Sequence, residues 1–312
     1  MKSIQINDYG GNDVISINDN VPIPKVSAGK VLVEVKASGV NPVDWKIREG
    51  YFQQMVPLQF PATLGTDFSG IIKELGENAS AGFNIGDEVY GQSSPLSGSS
   101  GSFAELVLTN IDNIGPTPKT LNPIDASGLP LVGVSAWQAL VENIGLSKYQ
   151  KILIHGGAGG IGSIAIQLAK HLGGFVATTV KSEDKEFVRQ LGADEIVDYT
   201  TQNFEDILQD FDAVLDTVGG ETYRKSFKVL KNNGIIVSML EQPDSNLMKQ
   251  YGVKAIFQFT ETTNERLTKL AQWIDQNNIK VNVEKTFPLA ETAKALDYQK
   301  DNHPRGKVVI TI

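Results

Sequence analysis

The chain has 312 residues, 41% of them hydrophobic and 21% charged, and that length exceeds the usual reach of one hydrophobic core, so two domains are expected. A net charge of −8 argues against a nucleic-acid partner, because the phosphate backbone demands a basic face, while leaving room for a locally basic pocket. The absence of cysteine excludes disulfides, thiol nucleophiles, iron–sulfur clusters and thiolate zinc sites.

The N-terminal Met-Lys-Ser-Ile-Gln-Ile-Asn-Asp lacks the charged-then-apolar profile of a signal peptide, and no apolar run is long enough to span a bilayer. No membrane partner is therefore expected, and the cytoplasm is the expected location. Over the first ~120 residues, short strands broken by Gly and Pro are predicted at Lys2–Ile6, Lys30–Ala37, Asp67–Leu75 and Glu105–Leu108. Turn signals separate them at Ala28-Gly29, Asn41-Pro42 and Ile85-Gly86-Asp87. This half reads as an irregular antiparallel barrel. Ser93–Ser102, rich in Ser and Gly, reads as a mobile surface loop.

The composition changes near Leu121–Ala126, and strand and helix patterns then alternate. Strands are predicted at Lys151–His155, Gly174–Thr179, Glu195–Val197, Ala213–Asp216 and Gly234–Ser238. Helices are predicted at Gly160–Leu172, Glu183–Gln190, Phe204–Gln209 and Glu221–Leu230. Such alternation requires an α/β fold with a parallel sheet, helices on both faces and ligands at the carboxyl ends of the strands. A helix around Glu265–Gln276, a strand at Lys280–Glu284, a helix at Leu289–Tyr298 and a strand at Lys307–Ile312 come after these; the last is expected to return to the first domain.

The most informative stretch is Ile152-Leu-Ile-His-Gly-Gly-Ala-Gly-Gly-Ile-Gly162. An apolar strand runs into glycines spaced Gly157-x-Gly159-x-x-Gly162 and then into an amphipathic helix. The first glycine permits a tight turn, the second lets a pyrophosphate approach bare backbone and the third lets the helix pack close to the strand. The amides around Ala158, Gly159, Gly160 and Ile161, at a helix N-terminus, then face the anion. A second signal lies at the end of the next strand, Ala177-Thr-Thr-Val-Lys-Ser-Glu-Asp184. Enzymes using NAD place a carboxylate there for the ribose 2′-OH, whereas a cation suits the 2′-phosphate of NADP. Thr179, Lys181 and Ser182 stand at that tip with Lys185 nearby, so NADPH is expected. A competing reading makes Lys181 and Lys185 solvated residues opening a helix.

Further motifs converge on one family: Gly39-Val-Asn-Pro-Val-Asp-Trp-Lys46, Phe60-Pro-Ala-Thr-Leu-Gly-Thr-Asp-Phe-Ser-Gly70, Gly86-Asp-Glu-Val-Tyr-Gly91, Gly133-Val-Ser-Ala-Trp-Gln-Ala-Leu140, Leu191-Gly-Ala-Asp-Glu-Ile-Val-Asp-Tyr199, Phe287-Pro-Leu289 and His303-Pro-Arg-Gly-Lys307. With the glycine motif, they span essentially the whole chain. The chain resembles the zinc-free quinone oxidoreductase branch of the medium-chain dehydrogenase/reductase superfamily, close to NADPH-dependent quinone and alkenal (enone) reductases. The resemblance implies a GroES-like irregular β-barrel catalytic domain, residues 1–121 with 265–312, and a Rossmann doubly wound parallel sheet, residues 122–264. It also implies a homodimer.

Zinc alcohol dehydrogenases of this superfamily carry Cys in the stretch matching Gly39-Val40-Asn41 and Gly-His-Glu in the stretch matching Gly65-Thr66-Asp67. Here Asn41 and Thr66 stand at those positions, so no metal is expected. His155, His171 and His303 are read as satisfied or solvated side chains. Without metal, hydride transfer requires a readily reduced acceptor, which points to a small-molecule quinone or α,β-unsaturated carbonyl as substrate.

Asn41 could hydrogen-bond ribose or substrate oxygen, or be a simple Asn-Pro turn. Tyr51, in a region that lines the substrate pocket of relatives, could donate to a developing enolate, or be a packing aromatic. Trp45 and Phe52 are expected to wall a flat substrate. Asp44 and Asp67 read as structural partners in turns. Ser135, Val218, Leu240 and Phe259 are placed along the nicotinamide, the last three following the fourth, fifth and sixth strands, and Tyr199 by resemblance lies against the 2′-phosphate. Arg305 and Lys307 read as surface cations, with a cofactor-phosphate role the alternative. Two other functions compete with the reductase: a zinc alcohol dehydrogenase, and a non-catalytic NADPH-binding structural or sensor protein.

Overall fold

The apolar-rich run Lys30-Val-Leu-Val-Glu-Val-Lys-Ala37, alternating from Val33 onward, opens an eleven-residue strand in a computed structural model that describes residues 1–79 and 82–312. In chain order the first elements are β1 (Ser3–Ile6), β2 (Ile15–Asn18), β3 (Lys30–Val40), α1 (Pro42–Arg48), β4 (Ala62–Thr63), β5 (Asp67–Leu75), β6 (Glu88–Gln92), β7 (Leu106–Asn110), β8 (Ile114–Pro116) and α2 (Pro123–Ser127). The middle of the chain forms α3 (Pro130–Trp137), β9 (Lys151–His155), α4 (Gly160–His171), β10 (Phe175–Val180), α5 (Lys185–Gln190), β11 (Glu195–Asp198), α6 (Phe204–Ile207), β12 (Phe211–Asp216), α7 (Gly220–Ser226), β13 (Leu230–Ser238), α8 (Ser245–Tyr251) and β14 (Lys254–Phe257). The chain closes with α9 (Asn264–Asn277), β15 (Val283–Pro288), α10 (Thr292–Asn302) and β16 (Lys307–Thr311).

The chain divides into a unit of Met1–Leu131 with Thr262–Ile312 and a unit of Val132–Glu261. The first boundary falls ten residues beyond the 121/122 expected from composition, and α2 is the reason. Ser69 Oγ donates to the Pro123 carbonyl at 2.6 Å, and Leu131 N donates to Asp67 Oδ2 at 3.1 Å. Those bonds bind α2 and its exit to β5. After the second boundary, Asn264 Nδ2 donates to the Ile114 carbonyl at 2.7 Å, which returns the chain to β8.

In the first unit the sheet order is β15-β16-β3-β5-β6-β8, with β7 paired to β3, beside a small β2-β1-β4 sheet. The closing strand β16 lies antiparallel to β3, Val308 opposite Val40, so the C-terminus does complete the barrel. Ile4, Ile6, Val40, Ile47, Leu64, Phe103, Val308 and Ile310 bury one core; Val31, Val33, Val35, Phe68, Val89 and Val107 bury another. Helix α9 buries Leu267, Leu270, Ala271 and Ile274, the i, i+3, i+4, i+7 stripe of an amphipathic helix. The Ser93–Ser102 segment is not the loose loop its composition suggests. Ser102 Oγ donates to the Asp67 carbonyl at 3.1 Å, and Ser100 Oγ accepts from Leu108 N at 2.8 Å. Small hydroxyl side chains here tie the segment to β5 and β7.

The second unit is a six-stranded parallel sheet, ordered β11-β10-β9-β12-β13-β14. Counted from β9 this is the 3-2-1-4-5-6 order of the doubly wound dinucleotide fold. Leu153, Ala177, Val214, Phe227 and Ile236 are among its core residues, and continuous apolar strands such as Ile152-Leu-Ile154 suit a sheet covered on both faces. The strand expected at Lys280–Glu284 begins at Val283, because Asn282 is held by the turn beyond it: its Nδ2 donates to the Arg305 carbonyl at 2.6 Å.

Candidate functional site

The glycine turn is built from packing demands that differ at each position. A Cβ on Gly157 would fall 2.1 Å from Thr178 Oγ1, and one on Gly162 would fall 2.2 Å from the Gly156 carbonyl. Gly157 must be bare for the turn to close against β10, and Gly162 for α4 to start close against the turn. At Gly159 the nearest atom to a Cβ is the Gly156 carbonyl at 3.4 Å, so that backbone is uncovered for a different reason. Gly159 is the N-cap of α4 and contributes no capping side chain. The Gly160 and Ile161 amides of the first turn consequently lack intrahelical acceptors. Ala158 N–H has no partner among the described residues, whereas Gly159 N–H donates to the Gly156 carbonyl at 3.0 Å. Three unpaired donors at the positive end of a twelve-residue helix can hold a pyrophosphate.

One sheet position away, Val180 of β10 and Asp198 of β11 are register partners. Tyr199 N donates to the Val180 carbonyl at 3.2 Å, which sets the half-exposed Tyr199 beside Lys181. The Lys181 ammonium has no partner among the described residues. The other cations and hydroxyls of this corner are already engaged. Ser182 Oγ donates to the buried Asp198 carboxylate, Thr200 Oγ1 donates to it at 2.6 Å, and Lys185 pairs with it at 3.2 Å. These hydroxyls, Ser182 foremost, hold Asp198 well below the ordinary carboxylate range. Thr179, expected at the tip, is instead buried and bonded to His155 Nδ1 at 3.0 Å.

Val218, Leu240 and Phe259 each lie two residues past the ends of β12, β13 and β14, and their exposures of 50%, 50% and 74% mark an uncovered apolar surface. A pair of residues missed from sequence builds the first two positions. Asp216 Oδ1 accepts from Val218 N at 3.0 Å and Gly219 N at 2.9 Å. Its Oδ2 accepts from Ser238 Oγ at 2.7 Å, and that hydroxyl oxygen accepts from Leu240 N at 3.1 Å. The available signal was an Asp and a Ser closing two apolar strands at matched positions. Ser135 is buried; its hydroxyl shares a 2.7 Å bond with Thr260, so it braces the Phe259 segment.

In the barrel unit, Asn41 and Thr66, the residues that the resemblance sets against zinc-ligand positions, turn toward each other. Asn41 Nδ2 donates to Thr66 Oγ1 at 3.2 Å, and Asn41 Oδ1 accepts from Lys307 Nζ. Asp44 reaches back to Asn41 N at 2.7 Å, as in a capping box at the start of α1. Asn41 is fully buried, so its amide is a structural partner and not an exposed donor. Lys307 is likewise no surface cation: it is buried and donates to the Val40 carbonyl at 2.9 Å. Burial pushes Lys307 down, Asp44 up to about 7 and Asp67 up, with each opposite charge resisting. Tyr51 is 63% exposed and stands edge-on to Trp45, ring centres 5.7 Å apart at 89°. Trp45 and Phe52 are partly buried against the barrel core. Among the described residues no three His, Asp or Glu side chains gather as metal ligands, and no helix is long and apolar enough to cross a membrane.

Residues 27–119 match the family described as alcohol dehydrogenase GroES-like domain, and residues 191–310 match the one described as zinc-binding dehydrogenase. The chain is 36% identical over 319 residues to an NADPH-dependent alkenal/one oxidoreductase of Arabidopsis thaliana, covering 99% of this chain and 79% of the relative. It is 36% identical over 320 residues to a 2-methylene-furan-3-one reductase of Solanum lycopersicum, again covering 99% and 79%. The solved quinone oxidoreductase from Coxiella burnetii superposes with a TM-score of 0.91 at 32% identity, over 100% of this chain and 99% of that one.

Proposed function

The chain belongs to the quinone oxidoreductase and alkenal reductase branch of the medium-chain dehydrogenase/reductase superfamily, and from that premise we propose that it reduces quinones or α,β-unsaturated carbonyls with NADPH. The observation that carries the reading is the uncovered Gly159 turn with unpaired amides beside the unpartnered Lys181.

The Ala158, Gly160 and Ile161 amides hold the pyrophosphate. Lys181 pairs with the 2′-phosphate, Tyr199 flanks it, and Ser182 contributes if Asp198 releases its hydroxyl. Val218, Leu240 and Phe259 seat the apolar face of the nicotinamide, with Ser135 bracing Phe259 from behind. The bound cofactor supplies the hydride, and charge moves onto the conjugated oxygen of the substrate. Tyr51 is the proposed donor to that oxygen: its phenol has no partner among the described residues, and a phenol O–H can donate to a developing oxyanion. Asn41 acts at one remove, as the cap of α1.

The enzyme works without zinc, a reading supported by Asn41 and Thr66 bonding each other at the positions where zinc enzymes of the superfamily carry ligands. It is a cytoplasmic homodimer, assembled through the free edge of β14 in the parallel sheet. The test is NADPH oxidation by protein dialysed against a chelator, with 1,4-benzoquinone, 9,10-phenanthrenequinone and simple 2-alkenals as acceptors. Turnover of a quinone or enone is expected. Tight NADPH binding without turnover of any acceptor favours a non-catalytic role, and activity restored only by Zn²⁺ overturns the metal-free reading.

A further inference from the structure

His155, last residue of β9, is fully buried and takes no part in the proposed hydride transfer. Its two ring nitrogens are nonetheless both engaged: Nδ1 lies 3.0 Å from Thr179 Oγ1 and Nε2 lies 2.9 Å from Ser226 Oγ. The direction of each bond is fixed by its neighbours. Ser226 Oγ donates its only proton to the Thr222 carbonyl at 2.6 Å, so it accepts from His155 Nε2–H. With the proton on Nε2, Nδ1 is the lone pair, and the Thr179 hydroxyl donates to it. Thr179 Oγ1 is then left to accept, and it receives Gly156 N–H at 3.4 Å. The Thr179 carbonyl receives the next amide, Gly157 N–H, at 3.3 Å.

A single-file chain of hydrogen bonds therefore runs Gly156 N–H to Thr179 to His155 to Ser226 to Thr222. At one end it reaches the turn that opens the glycine motif. At the other it enters α7, the helix that comes after Val218 and Gly219. His155 has a further hold on the same neighbourhood, because its carbonyl accepts from Thr217 Oγ1 at 2.9 Å. The imidazole thus joins the β10 wall of the glycine turn to the helix behind the β12 loop.

We infer that His155 is a positioning residue for the dinucleotide: in its neutral Nε2–H form it aims the Thr179 hydroxyl, fixes Gly156 and Gly157 against β10, and so sets where the Ala158, Gly160 and Ile161 amides point. The inference rests on the dinucleotide reading and extends it to a residue with no ligand contact of its own. A buried relay of this kind acts through geometry, so its loss weakens ground-state binding of the cofactor and leaves the reacting groups in place.

The test is NADPH binding, followed by fluorescence, together with KM and kcat for wild type, Thr179→Val, Ser226→Ala, His155→Gln and the Thr179→Val/His155→Gln double variant. Thr179→Val is nearly isosteric and deletes only the hydroxyl, so it reports even if the histidine variant fails to fold. Thr179→Val is expected to raise Kd and KM for NADPH about tenfold, the scale of one buried polar group left unsatisfied, with kcat at saturating NADPH within about twofold of wild type. The double variant is expected to lose no more than the worse single one, because both break the same chain. Wild type that binds no NADPH refutes the dinucleotide reading itself. Wild type that binds while Thr179→Val and Ser226→Ala bind equally well refutes the relay, and so does a loss confined to kcat.

Discussion

Lys307 Nζ donates to the Val40 carbonyl at 2.9 Å across 267 residues of chain, and through that bond the last strand supplies a buried cation to the start of α1. The same ammonium reaches Asn41 and faces Asp44 and Asp67. Lys307→Met leaves two buried carboxylates without their counter-charge, which costs about 3–5 kcal/mol near pH 8. Burial has already pushed Asp44 up to about 7, so at about pH 5 it takes a proton and the deficit shrinks. Urea unfolding at the two pH values measures both numbers, and equal deficits would refute the charge argument.

Lys181→Ala is expected to raise KM for NADPH by roughly ten- to a hundredfold, the range of one charge-assisted hydrogen bond, and to leave KM for NADH nearly unchanged. The unpartnered ammonium at the end of β10 is the reason: removing it breaks nothing inside the protein. An equal rise for both cofactors would locate Lys181 away from the 2′-phosphate.

Two glycines of one motif should fail in different ways. Gly159→Ala adds a methyl whose nearest neighbour lies at 3.4 Å, so the fold survives while the ligand's approach is blocked. Gly162→Ala drives its methyl to 2.2 Å from the Gly156 carbonyl, an overpacking clash costing about 1–3 kcal/mol. Thermal unfolding and NADPH binding, measured on both variants, separate the effects. A Gly159→Ala protein that binds NADPH as tightly as wild type would remove the turn from the site.

The parallel sheet is legible in the sequence because its central strands are continuous apolar runs closed by glycine turns, and β5 and β9 lie where periodicity puts them. Strand β14 is placed there only as the unnamed sixth strand before Phe259 and has no range of its own, since Lys254-Ala-Ile-Phe257 is a short edge strand with no alternation to read. Asn41 carries two readings in the sequence, and only the fold can choose, because its partner Lys307 comes from the far end of the chain. Lys307 itself misleads for the same reason: a lysine near a terminus looks solvated until β16 is seen to lie between β3 and β15. Lys181 and Tyr199 come together through β10–β11 register, which a linear pattern does not contain. His155 and Asp216 read as no more than strand-end residues, although both organise the loops beyond them.

The unpaired edge of β14 presents backbone donors and acceptors with no lysine-rich or proline-blocked protection beyond Lys254. If two copies pair there, light scattering gives a dimer at micromolar concentration, and Ala255→Pro, which removes an amide facing away from β13, shifts the population to monomer without abolishing NADPH binding. A monomer for wild type at that concentration would eliminate the homodimer.

His155 is buried beside Phe204, ring centres 4.6 Å apart, and burial lowers its pKa from 6.5 to about 4 against the pull of Asp216 and Glu205. A histidine that charges less readily when folded contributes stability that is complete above about pH 6.5. That contribution is lost progressively as pH falls through 4, because the unfolded chain takes up the proton first. Its full size is on the order of 3 kcal/mol. Other carboxylates titrate in the same window, so the wild-type curve alone decides nothing; the difference between wild type and His155→Gln does. That difference should favour wild type most above about pH 6.5 and narrow steadily toward pH 4. A gap that stays constant across the range would mean that the imidazole is not held neutral by its burial, and the proton assignment along the Thr179–His155–Ser226 chain would fall with it.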